Sequence, residues 1–139
     1  MNAGGRRESA VEHDDAGLAG RAVELARAGD AAALAGCLDG GIPVDLANES
    51  GDTLLMLAAY HGHEETVRAL LSRGADPGLP NEKGQTPLAG AVFKKEAGIV
   101  RALLDAGADP HAGQPSAVDA ARTFGAYKFL DWFGLGPKF

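Results

Sequence analysis

Asn81-Glu82-Lys83-Gly84-Gln85-Thr86 repeats Asn48-Glu49-Ser50-Gly51-Asp52-Thr53 at a distance of 33 residues. At the same offset Val67-Arg68-Ala69-Leu70-Leu71 returns as Val100-Arg101-Ala102-Leu103-Leu104, and Gly74-Ala75-Asp76-Pro77 as Gly107-Ala108-Asp109-Pro110. No insertion or deletion separates the blocks, so all three share one register, which chance does not produce. The register extends in both directions. Upstream, Gly29-Asp30 falls under Gly62-His63, Cys37-Leu38 under Leu70-Leu71, and Gly41 under Gly74. Downstream, Ser116-Ala117-Val118 answers Thr86-Pro87-Leu88 at an offset of 30, and Gly125 answers Gly62 once that shortening is allowed. The chain therefore reads as four units, two clean ones between two degenerate ones. Terminal repeats of a stack differ from the middle because each turns one face to water.

Each unit has a consistent local logic. Thr53 and Thr86 stand where a helix should begin, because a Thr oxygen can accept from the free N–H groups of the first turn. Pro87 then takes a first-turn position that needs no donor. Leu55, Ala58 and Ala59 form a small-residue stripe suited to close helix packing. Gly62 ends that helix by taking a left-handed cap conformation. A second helix is expected from about Glu64, with Val67, Leu70 and Leu71 at helical spacing and Gly74 as its stop. Residues Asp76 to Gln85, with Pro77, Gly78, Pro80, Asn81 and Gly84, form a turn-rich return to the next unit.

Composition fits such a stack. The 139 residues allow one domain, and 45% apolar with 23% charged residues is a globular composition. There are 20 Gly, and only eight residues are aromatic, so the core must be built from close backbones and short helices. A net charge of -6 argues against nucleic acid. No apolar run is long enough for a membrane span, and Met1 to Asp15 has no apolar segment of a signal peptide. A single cysteine, Cys37, excludes an internal disulfide framework and fits a reducing, cytoplasmic setting.

The stretch Gly84-Gln85-Thr86-Pro87-Leu88, with Val100 to Leu104 and Gly107-Ala108-Asp109-Pro110, resembles the ankyrin repeat in sequence and period. The resemblance runs from about Asp15 to Phe133. It implies an all-α solenoid of four helix-turn-helix units, the terminal two acting as degenerate caps. The expected organisation is a flexible tail over 1–14 and a repeat domain over 15–135. Its units cover about 15–47, 48–80, 81–113 and 114–135, and 136–139 form a C-terminal tail. An extra helical turn leading into Leu18 is the alternative for the N-terminal tail. Leu54 replaces the Pro of the pattern in one unit, and Met56 and Ala89 replace its His. Lys95 replaces the Gly between the helices of the second clean unit. These departures are expected to weaken local capping.

Candidate chemistry is sparse. His61-Gly62-His63, with Glu64 and Glu65 nearby, has the look of a metal site, but the resemblance gives His63 a structural place at the turn between helices, and no metal is expected. Cys37, at the position of Leu70 and Leu103, is expected on a buried face, where a thiol is inert. The serines Ser9, Ser50, Ser72 and Ser116 read as tail, turn or cap residues. Gly40-Gly41 follows no strand and is no phosphate loop. No catalytic residue and no cofactor are expected.

The aromatic residues are more informative. Phe124, Tyr127, Phe129, Trp132, Phe133 and Phe139 place six of the eight in the last 16 residues. They are expected to close the open end of the stack, the alternative being an exposed docking patch. In ankyrin proteins that bind partners, loop tips and outward positions of the first helix make the contacts. By register these are Glu49, Ser50, Asp52, Tyr60 and His61, then Glu82, Lys83, Gln85, Phe93 and Lys94. Tyr60 and Phe93 lie 33 apart. Either they form a hot spot with a polar rim, or they shield the neighbouring repeat; sequence leaves both open. The resemblance thus implies a non-enzymatic protein-binding module presenting a concave surface to a partner protein. The net charge of -6 makes a basic patch on that partner the expectation, and the chain is expected to be monomeric alone. Its residue usage looks bacterial, and the implied roles are accessory, inhibitory or immunity-type. A structural subunit docking through the aromatic C-terminal end is the alternative.

Overall fold

The computed structural model describes residues 17–135. The tails expected over 1–14 and 136–139, the alternative extra turn before Leu18 and the ring of Phe139 lie outside the described residues. Eight helices and no strand are found among the described residues. They come in four pairs: α1 (17–28) with α2 (Ala31–Asp39), α3 (Leu54–Tyr60) with α4 (Glu64–Ser72), α5 (Pro87–Phe93) with α6 (Ala97–Asp105), and α7 (Ala117–Thr123) with α8 (Tyr127–Trp132). Consecutive first helices α3, α5 and α7 pack on one another, and α2, α4 and α6 form the second row.

The helix starts follow the hydroxyls. Thr53 accepts from the Met56 amide at 3.0 Å, Thr86 from that of Ala89 at 3.2 Å, and Ser116 from that of Asp119 at 3.0 Å. Leu54 in place of Pro leaves the Thr53 cap intact, contrary to the expected weakening. The N–H that leucine brings in place of proline is satisfied by the Leu46 carbonyl at 3.1 Å, so the substitution leaves no unpaired donor. The turn between paired helices is left-handed in all four units, at Gly29 (φ 80°), Gly62 (77°), Lys95 (59°) and Gly125 (70°). Lys95 therefore keeps the turn rather than breaking it, and its N–H still reaches the Val92 carbonyl at 2.9 Å. What it carries instead is the steric strain of a side chain in the left-handed region. The stops expected at Gly74 and Gly107 are also left-handed, at 92° and 97°.

The core runs along the stack between the two rows. Leu34, Val67, Leu70, Leu88, Val92, Ile99, Val100 and Leu103 are buried, as is Cys37. Interleaved alanines (Ala22, Ala26, Ala58, Ala59, Ala91, Ala121) are also buried, which is how short helices come close enough to bury one another. At the C-terminal end Phe129 is fully buried and Trp132 meets it edge-to-face at 5.1 Å, with the Arg101 guanidinium 4.2 Å from the Trp132 ring. Those rings pack into the last described helix pair. Phe124 and Tyr127 do not: they are 44% and 62% exposed.

Candidate functional site

The loop tips are built by two asparagines. Asn48 Oδ1 accepts from the amides of Ser50 and Asp52, both at 3.0 Å, and Asn81 Oδ1 accepts from those of Lys83 and Gln85, both at 3.0 Å. A short amide side chain bonding the backbone two residues on is what fixes such turns. Asn81 Nδ2 also donates to Asp52 Oδ1 at 2.8 Å and to Gln85 Oε1 at 2.7 Å. Successive tips are then strung together through the backbone. The Glu82 amide donates to the Ser50 carbonyl at 3.0 Å, and that of Gln114 to the Gly84 carbonyl at 2.9 Å. The tips are therefore a continuous, hydrogen-bonded edge. Both asparagines stand in the repeated block, but their positioning role was not among the sequence expectations.

Beside that edge lies the outward face of the first helices. A hollow there is lined by Ser50, Asp52, Tyr60, His61, Glu82, Lys83 and Gln85, with Arg27, Asn81, Met56 and Leu57. Next to it is an apolar groove of about 250 Å³, lined by Tyr60, Gln85, Ala89, Phe93, Pro115, Ala120 and Phe124. Tyr60 and Gln85 belong to both and form the saddle between them. Thus seven of the ten residues expected at a partner surface share the first hollow, and Phe93 joins through the second. Glu49 lies in a neighbouring depression beside Ser50, and Lys94 is exposed but lines none of these hollows.

The two aromatic positions behave differently, for a traceable reason. A Cβ at Gly90 would overlap the Tyr60 ring, so the ring lies flat on the α5 backbone. Burial, and next to it the Asp52 carboxylate, holds the Tyr60 hydroxyl above its ordinary pKa. In the next unit the residue equivalent to Gly90 is Ala120, whose methyl denies Phe93 the same bed. Phe93 is 50% exposed and meets Phe124 edge-to-face at 4.8 Å. The two rings are therefore placed differently: Tyr60 shields its neighbour, and Phe93 stands clear. Phe124, expected in the cap, instead completes the groove.

The histidines at the helix turn are occupied by the backbone. His63 Nε2–H donates to the Arg27 carbonyl at 2.8 Å and His61 Nδ1–H to that of Leu57 at 2.9 Å. A carbonyl only accepts, which fixes where each ring carries its proton. His63 thus ties the second unit to the end of α1, its ring filling the space a Cβ at Gly29 would need. No cluster of three or more His, Cys, Asp or Glu side chains suited to a metal occurs among the described residues.

Charge is graded along the stack. Residues 17–82 carry ten carboxylates against Arg21, Arg27, Arg68 and Arg73, and three of those arginines are held in ion pairs with Glu24, Glu64 and Asp39. Residues 83–135 carry five carboxylates against Lys83, Lys94, Lys95, Arg101, Arg122 and Lys128. The tips carrying Glu49, Asp52 and Glu82 thus belong to the acidic half.

Among known proteins, the family model for ankyrin repeats, in three copies, matches residues 22–114. An ankyrin repeat protein of Pseudomonas aeruginosa is 55% identical over 45 residues, which is 32% of this chain and 26% of that protein. Ankyrin repeat domain-containing protein 29 of Homo sapiens is 47% identical over 60 residues, 42% of this chain and 20% of that protein. The chain therefore matches only about a quarter or less of these relatives' length. The shared period, the left-handed turns in all four units and the match over residues 22–114 agree. The chain belongs to the ankyrin repeat family.

Proposed function

We propose that this chain is a non-enzymatic protein-binding module that presents the face formed by its loop tips and first helices to a partner protein. Ankyrin repeats are in general protein–protein interaction modules. The observation that carries the reading here is Phe93, half exposed beside Phe124 on the face edged by the hydrogen-bonded tips. Exposed aromatics held on a rigid frame, rimmed by polar groups, are the composition of a binding hot spot. Partner contact falls to Glu49, Ser50, Asp52, Tyr60, His61, Glu82, Lys83, Gln85, Phe93 and Lys94. The partner is a protein with a basic patch, met in the cytoplasm of a bacterium, and the role is accessory, inhibitory or immunity-type. Binding needs no cofactor, and the free chain is a monomer. No helix among the described residues is long and apolar enough to cross a membrane.

One observation favours a second reading. Tyr127 is 62% exposed at the C-terminal end, beside Lys95 and Lys128. A structural subunit would dock there. Photo-crosslinking separates the two. A benzophenone amino acid at Lys94 or Glu82 should capture a partner in the source cells while one at Tyr127 does not. The reverse pattern moves the interface to the C-terminal end.

A further inference from the structure

We infer that the apolar groove of Phe93, Phe124 and Ala120 takes one bulky aliphatic or aromatic anchor side chain of a partner segment that also carries Lys or Arg next to the anchor. The inference rests on the binding reading above and adds the chemistry of the occupant. Three features carry it. The groove, of about 250 Å³, is walled mainly by rings and methyls, with Gln85 and Tyr60 as the residues in its lining that carry polar side-chain groups. Its size suits a single side chain rather than a helix face, and its walls would leave a charged group without partners. The rings are exposed by a fixed cause, since Ala120 stands where Gly90 lets Tyr60 lie down, so the groove is held open without a ligand.

Charge then chooses the neighbours of the anchor. Across the Tyr60–Gln85 saddle lie Asp52 and Glu82, with Glu49 further along the same edge. Glu49 and Glu82 are exposed and enter no ion pair among the described residues. Of the cations there, Arg27 is already bound to Glu24 at 2.7 Å, leaving Lys83. A segment anchored in the groove and crossing the saddle therefore meets excess negative charge, and Lys or Arg at that point is complementary.

The test is selection of a random dodecapeptide phage library on the immobilised full chain, followed by titration of the enriched peptides in solution. Enriched peptides should pair an aromatic or large aliphatic residue with adjacent Lys or Arg. Phe93→Ala with Phe124→Ala should weaken them roughly tenfold or more, as expected of hot-spot truncation. Glu49→Gln with Glu82→Gln should weaken them a few-fold and flatten their salt dependence, as rim charges do. Tyr127→Ala should leave them unchanged. All these residues are exposed, and circular dichroism verifies the fold of each variant. Acidic or uncharged peptides that still require Phe93 and Phe124 would overturn this inference and leave the binding face in place. Peptides indifferent to Phe93 but lost with Tyr127→Ala would overturn both. A library that yields no enrichment also overturns the inference, since the groove is open in the free chain.

Discussion

Among the described residues, the Thr66 hydroxyl is buried with no hydrogen-bond partner. Its register equivalents are Ile99 and Phe129, both fully buried, so the position asks for an apolar side chain. Thr66→Val keeps the shape and removes the unpaired hydroxyl, and should stabilise the chain by about 1–3 kcal/mol, the desolvation penalty of such a group. Urea unfolding measures it, and a loss of stability would mean the hydroxyl has a partner. Lys95 offers a similar gain. Its φ of 59° costs a side-chain residue about 1–2 kcal/mol relative to glycine, so Lys95→Gly should raise the midpoint of thermal unfolding. The residue above Lys95 in the next unit is Ala126, where the other units place His63 and Glu96. That small neighbour is why a lysine fits at the turn at all.

Tyr60 gives the pH prediction at this same scale. Its pKa is raised in the folded chain by burial first and by Asp52 second. Above the ordinary tyrosine value the unfolded chain loses this proton while the folded chain keeps it. Stability from Tyr60 is therefore full below that value and falls as pH rises through the folded pKa. In a Tyr127→Phe background Tyr60 is the remaining tyrosine, and its phenolate absorbance can be followed alone. Adding Asp52→Asn should bring the titration part of the way back, because burial remains. No movement at all would show that Asp52 does not act on the ring.

At the scale of the helix pairs, the sequence was most legible where the backbone made a demand. Gly29, Gly62 and Gly125 align in the sequence because a left-handed turn selects glycine, and Thr53, Thr86 and Ser116 because a helix start needs an acceptor. The packing of Leu70 and Leu103 was legible for the same reason, as helical spacing between two stops. Each should cost about 2–5 kcal/mol on truncation to Ala. The proposed binding face was legible only in part. Whether an aromatic at the Tyr60 or Phe93 position lies down or stands up depends on a single Cβ about 30 residues away, present in Ala120 and missing in Gly90. Register shows where the ring starts and not where it rests. Phe124 was missed for a related reason: its register equivalents are His61 and Lys94, so nothing in the repeat marks it as a partner of Phe93.

Over the whole molecule, a stack in which each unit touches only its neighbours loses its ends first. The last unit is held to α5 by α7, and α8 in turn is anchored by Phe129, with Trp132 against it and Arg101 across that ring. Phe129→Ala should cost about 3–5 kcal/mol, as for other buried Phe truncations. That loss falls on one terminal unit rather than on the cooperative whole, so α7 and α8 should open while the preceding pairs persist. Hydrogen exchange would then show amides over residues 117–132 losing protection, with those over 54–72 and 87–105 retaining it. Phe124 belongs to the unit that opens, so one wall of the apolar groove goes with it. Anchor binding should weaken even though Phe129 itself lies inside the core, away from that groove. Uniform loss of protection along the chain would mean that the four pairs fold as one unit, and that the groove cannot be dismantled from its end.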